Sequence, residues 1–272
     1  MRKRATVLFA LSALLGASLL SGCGTYESGP KAFASTNYGT STDMTAPQQT
    51  ESAAEWLRTA LENAKTDEHA QQFWYKGFVK NYILNRTTTS MFDGAVRNPD
   101  GYNVDARIAR QDYQYYRIGD KRYVRVKDAW MTARETPLDF DVWAGFEDWL
   151  PFMDQAVQLK DDKVYGTVCV PFQLKMTGTD WLAKSSSPLF EPLKQQLAER
   201  SDIEYLLKDS TIKTTFWIGK DDRLIHQYET WIILPMPGGG TMDQQVQFQM
   251  YKYDDPGIHI KNPEEVEKYL LY

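Results

Sequence analysis

The chain has 272 residues, 42% of them hydrophobic, with a formal net charge of -5. Its first 22 residues hold three positive charges and no negative one, so the remainder carries -8. This balance argues against nucleic acid as a partner and against a basic face gripping anionic lipid headgroups.

Residues 1–22 have the three parts of a secretory signal. Arg2, Lys3 and Arg4 form its positive end. Val7 to Leu20 is an apolar run, too short for a membrane-spanning helix, which needs about 20 apolar residues. The run ends in Leu20-Ser21-Gly22-Cys23, which resembles the lipobox of bacterial lipoproteins. The resemblance implies that Cys23 becomes the mature N-terminus and carries a diacylglyceryl thioether, with palmitate-type chains as the membrane anchor. Two acyl chains suffice for stable anchoring. An ordinary signal peptide with a chance cysteine is the alternative. With Cys23 acylated, Cys169 has no disulfide partner. Its setting, Val168-Cys169-Val170, reads as a buried structural thiol.

Residues 23–50 are rich in Gly, Ser, Thr and Pro and read as a lipidated flexible tether, with a reach of about 25–30 Å. Residues 51–272 form the expected single domain. Ser52 and Glu55 fit a capping box, followed by Ala53, Trp56, Leu57, Ala60, Leu61 and Ala64 on one helical stripe. Strands are predicted over 72–82, 90–97, 102–110, 112–118 and 122–130, with turn signals between them. Val124 and Val126 alternate with Arg125 and Lys127, which makes one face apolar and the other wet.

The stretch 140–157 stands apart. Trp143, Phe146, Leu150, Met153 and Val157 fall on helical spacing, while Phe140, Trp149 and Phe152 lie off it and Pro151 interrupts it. Two readings are open: a helix wedged in the core, or a lid over an apolar cavity. A strand over 163–175, with Pro171 marking an edge or bulge, comes next. Helices starting at Ser187-Pro188 and at Ile203 follow. Strands over 211–218, 223–234 and 245–253 then lead to a short terminal strand at Ile258-His259-Ile260.

Thr215 to Ile225 and Tyr251 to Pro263 resemble hairpin and closing-strand segments of bacterial lipoproteins with the LolA/LolB and LppX/LprG-type half-barrel. The resemblance covers roughly residues 52–263 and leaves the middle segment and Val266 to Tyr272 unexplained. It implies an α+β fold: a strongly curved antiparallel β-sheet, a half-barrel, wrapped around a few helices and enclosing an apolar cavity. It also implies a lipid-anchored protein on the extracytoplasmic face of a bacterial cell membrane.

No residues form a catalytic signature. His69, His226 and His259 are scattered, and Asp161-Asp162, Asp221-Asp222 and Asp254-Asp255 fit turns rather than a calcium loop. Gly238-Gly239-Gly240-Thr241 lacks the lysine of a phosphate loop. The expectation is therefore no enzyme, no metal and no cofactor. The expected function is a non-catalytic carrier or sensor of a lipid or acyl chain. Trp56, Trp143, Phe146, Trp149, Phe152 and Trp217 are the candidate lining residues, and Phe146→Ala is expected to spare folding where Val124→Asp does not. The alternative is a cell-envelope protein-interaction module without a small-molecule ligand, which a filled half-barrel would favour. A hydrolase built on a carboxylate pair is the third reading, with no residues singled out for it.

Overall fold

The computed structural model describes residues 51–83, 86–98, 101–126, 129–132, 142–143, 145–187, 190–236 and 239–260. The signal, Cys23, the tether, Phe140 and the segment from 261 onward lie outside them.

The capping box forms as its spacing predicts. The Glu55 N–H donates to Ser52 Oγ at 3.3 Å, and the Ser52 N–H donates to Glu55 Oε2 at 2.7 Å. Helix α1 runs Ala53–Thr66 and buries Ala54, Trp56, Leu57, Ala60, Leu61 and Ala64. A short 3-10 turn, Glu68–Ala70, hands the chain to the sheet.

Six strands then meander: β1 (Gln72–Ile83), β2 (Arg86–Arg97), β3 (Gly101–Ile108), β4 (Gln111–Ile118), β5 (Lys121–Val126) and β6 (Ala129–Thr132). The run expected as one strand over 122–130 is two, β5 and β6, paired antiparallel. The second half contributes β7 (Val157–Gln158), β8 (Asp162–Val164), β9 (Thr167–Thr177), β10 (Thr211–Gly219), β11 (Ile225–Pro235) and β12 (Thr241–Tyr251). Among the described residues these make one twelve-stranded antiparallel sheet, ordered β6-β5-β4-β3-β2-β1-β12-β11-β10-β9-β7, with β8 also on β9. It does not close on itself, so the architecture is an α+β half-barrel. The first and last strands are neighbours at its middle, with Trp74 opposite Tyr251.

Alternation along the strands separates two faces. Phe73, Tyr75, Phe92, Val104, Tyr115, Phe172, Leu174, Phe216, Tyr228, Val246 and Phe248 point to the inner face, where they join α1 in one core. The other face mixes charged residues with Trp74, Phe78 and Met91 over β1 and β2, and is covered where Trp217 lies on β10. There the β8–β9 hairpin brings Val164 and Cys169 against Trp217 in a small second cluster. Cys169 is fully buried, and burial pushes its thiol up to about 12.

Several expectations change. The single strand over 163–175 is a hairpin, because Tyr165 and Gly166 both take positive φ and make a tight turn. Pro171 falls in the gap on β9 between its pairings with β7 and β8, where no ladder N–H is required. Helix α2 (Gly178–Lys184), capped by the Thr177 side chain, is an addition. Helix α3 spans Glu191–Ala198 rather than starting at Ser187-Pro188, with Pro192 supplying the early proline. Helix α4 is Ile203–Lys208. Ile258 to Ile260 forms no strand; Ile258 is instead packed in place, and its carbonyl accepts from Arg97 Nη1 at 3.1 Å.

Residues 147–155 form a 3-10 helix, not an α-helix, with Pro151 inside it. At three residues per turn, Phe146, Trp149 and Phe152 fall on one face. All three are buried, as is Met153, while Leu150 and Val157 are exposed at 44% and 43%. The stripe expected at α-helical spacing is therefore replaced by one of shorter period.

Candidate functional site

The inner face of the half-barrel is closed by a chain of rings. Phe73 meets Trp143 with centroids 5.2 Å apart, and Trp143 meets Phe146 at the same distance. Phe146 stands edge-on to Phe216 at 5.1 Å and to Tyr228 at 4.7 Å, and Tyr228 stacks on Phe248 at 5.5 Å. Such edge-on pairs add about 0.5–1.5 kcal/mol each beyond area burial. Trp149 lies 6.4 Å from Phe152, whose ring carries the Lys184 ammonium at 4.8 Å.

Four candidate residues thus come together in the 3-10 segment and its approach: Trp143, Phe146, Trp149 and Phe152. Trp56 joins the same core from α1, with its ring 5.6 Å from Phe172. The Arg223 guanidinium covers its other side at 3.4 Å and pairs with Glu51 at 2.7 Å. Trp217 does not join them. It alternates with Phe216 on β10, so its ring lies on the opposite face, with Nε1 donating to Asp162 at 3.4 Å.

Beside this plug a cavity of about 530 Å³ remains on the inner face. Ala64 and Lys65 of α1, one residue from each of β1 to β4, and Val142, Trp143, Gly145 and Glu147 border it, and it is partly open to solvent. Tyr75, Val96, Tyr102 and Trp143 form its apolar side, and Gln71, Asn98 and Ser186 add to a lining that is more polar than apolar. Tyr75 is wholly buried, donates its hydroxyl to the Asn103 carbonyl at 2.9 Å, and has its phenol pushed well above the usual range by that burial. Lys65, Arg117 and Glu147 stand at the rim. Lys65 is ion-paired to Glu147, and Arg117 lies 5.7 Å over the Tyr102 ring.

The sequence pattern does not single out Tyr75, Tyr102 or Arg117. Their signal is the two-residue alternation of β1, β3 and β4, which assigns a face but not which part of that face stays open. The paired aspartates are tied to local partners: Asp161 to Lys220 at 2.8 Å, Asp222 to His226 at 2.8 Å and Asp255 to the Trp74 Nε1–H at 2.9 Å. Among the described residues no three His, Cys, Asp or Glu side chains gather as a metal site would require, and no helix is long and apolar enough to cross a membrane.

No protein-family model matches the chain, and no curated protein matches it. Solved structures do. The lipoprotein LppX of Mycobacterium tuberculosis is similar with a TM-score of 0.45 and 12% identity, covering 77% of this chain and 98% of that one. LprF of Mycobacterium bovis gives 0.45 and 10%, covering 78% and 96%. A LolA-superfamily protein of Nitrosomonas europaea gives 0.31 and 9%, covering 79% and 99%.

Proposed function

We propose that this is an extracytoplasmic lipoprotein, tethered to the cell membrane through Cys23, that carries or senses an apolar molecule in its half-barrel and does no chemistry on it. The observation that carries this reading is the 530 Å³ cavity on the inner face, where Val96, Tyr102 and Trp143 give an apolar side and Gln71, Asn98, Arg117 and Ser186 a larger polar one, as an apolar molecule with a polar head requires. That volume is in the range of small-molecule sites. Apolar ligand surface buried there gains about 25 cal/mol per Å². The Trp143–Phe146 segment borders the cavity, and a ligand longer than the cavity is accommodated by displacing that segment from the deeper half-barrel.

Native mass spectrometry of residues 50–272, prepared from bacterial membranes without detergent, tests this. A co-purifying mass that organic extraction releases as lipid is the expected result. A second reading, an envelope protein-interaction module, is favoured by how fully the concave core is packed: the inner space is only about 20 Å³. A clean apo mass, unchanged after incubation with lipid vesicles, overturns the carrier in favour of that module.

A further inference from the structure

The inner cavity of about 20 Å³ lies beneath the 3-10 segment, and Gly145 borders both it and the larger cavity. The Trp143–Phe146 pair thus stands between the two. Six rings line it, yet Asp148, Ser185, Ser187, Thr214 and Thr230 also reach it, and the four hydroxyl residues are buried. Thr214 and Thr230 oppose each other across β10 and β11 with their hydroxyls 2.7 Å apart. One hydroxyl donates to the other, which leaves the second proton and further lone pairs for a third group. Trp181 lines the same space at 1% exposure, with its indole Nε1–H buried and unpartnered. The volume suits one oxygen atom. Valine would fill the threonine positions equally well, so plain packing does not require this polarity.

We infer that the inner cavity is an oxygen-recognition subsite: the apolar ligand bears an acceptor oxygen (hydroxyl, ketone or ester carbonyl) part-way along its body. The Trp181 Nε1–H and the Thr214–Thr230 hydroxyls hold that oxygen. The inference rests on the carrier reading and adds a choice among apolar ligands. A ligand carboxylate stays at the rim beside Arg117, its chain passes the Trp143–Phe146 pair, and the mid-chain oxygen reaches the subsite.

The test uses the chain from residue 24, stripped of lipid. Among the described residues the core runs from Ala54 to Ile258. Calorimetric titration compares octadecanoate with octadecanoates bearing one hydroxyl at successive mid-chain carbons. At least one hydroxylated probe is expected to bind about five- to tenfold more tightly than octadecanoate. In Trp181→Phe that ratio falls to about one. Thr214→Val lowers it as well and serves should Trp181→Phe fail to fold. Equal affinity for all probes, or a ratio that survives both substitutions, overturns the subsite and leaves the carrier reading standing. Binding of no probe at all overturns both.

Discussion

Phe146 touches Trp143, Phe216 and Tyr228 and is 5% exposed, so removing its ring opens a hole in the core. Phe146→Ala is expected to cost about 3–5 kcal/mol, read from urea unfolding. This reverses the expectation from sequence that the substitution spares folding; a loss under about 1 kcal/mol would show the ring to be a detachable cover. His69 gives a test of the opposite kind, at the surface. Its ring nitrogen lies 3.2 Å from Asp254, and that hydrogen bond raises its pKa. Asp254 is lowered, by the hydrogen bond from Gln72 first and by His69 second. The raised histidine contributes stability that is full below its unfolded pKa of about 6.5 and fades as pH rises through the folded value. The lowered aspartate's share is full above its unfolded value near 3.8 and is lost as pH falls. The urea midpoint of the parent should therefore exceed that of His69→Gln most near pH 5 to 6 and converge with it by about pH 8. A constant gap across that range would exclude the ion pair as its source.

The 3-10 segment shows what was readable and what was not. Its aromatics mark it as buried, but burial on several sides fits any helical period. Pro151 favours the tighter winding, and only the fold reveals that Phe146, Trp149 and Phe152 share a face. Leu150→Asp is expected to change stability by less than about 0.5 kcal/mol. Met153→Ala should cost about 2–5 kcal/mol. An α-helical phase, with Leu150 inward, would make both costly in the same unfolding assay. Strand β1 was legible from its aromatic and β-branched residues, and β12 from alternation and the turn residues that close it. Their closeness was not, since nothing local pairs Trp74 with Tyr251. Gly77 records that pairing: a side chain there would meet the Phe248 ring and lie 2.7 Å from the Gln247 carbonyl. Gly77→Ala should cost about 1–3 kcal/mol in urea unfolding. A neutral result would mean that β12 gives way locally.

Over the described residues, residue spacing carried helix α1 and most strands, while the half-barrel came from the resemblance of the element order and of two local strings. The open cavity came from packing between segments distant in sequence. Tyr75, Tyr102 and Trp143 lie on β1, on β3 and beyond β6, so no local pattern could assemble them. Trp217 was grouped with them by residue type, whereas strand parity puts it on the far side. The described core begins at Ala54 in α1, so a chain starting at residue 50 should unfold within about 0.5 kcal/mol of one starting at residue 24. A larger difference would mean that residues 24–49 pack on the body.

The seam between β1 and β12 has a kinetic consequence. A nascent chain can form the β1 to β6 meander early, but β1 lacks one neighbour until residues 241–251 have emerged. Closure waits for the final strand, and pairings this far apart in sequence are slow to find. Until then, the inner aromatics of both halves stand uncovered and prone to self-association. Stalling synthesis before residue 241 should leave a species that collapses yet stays protease-sensitive, while a stall beyond residue 251, with the exit path cleared, should give protection in one step.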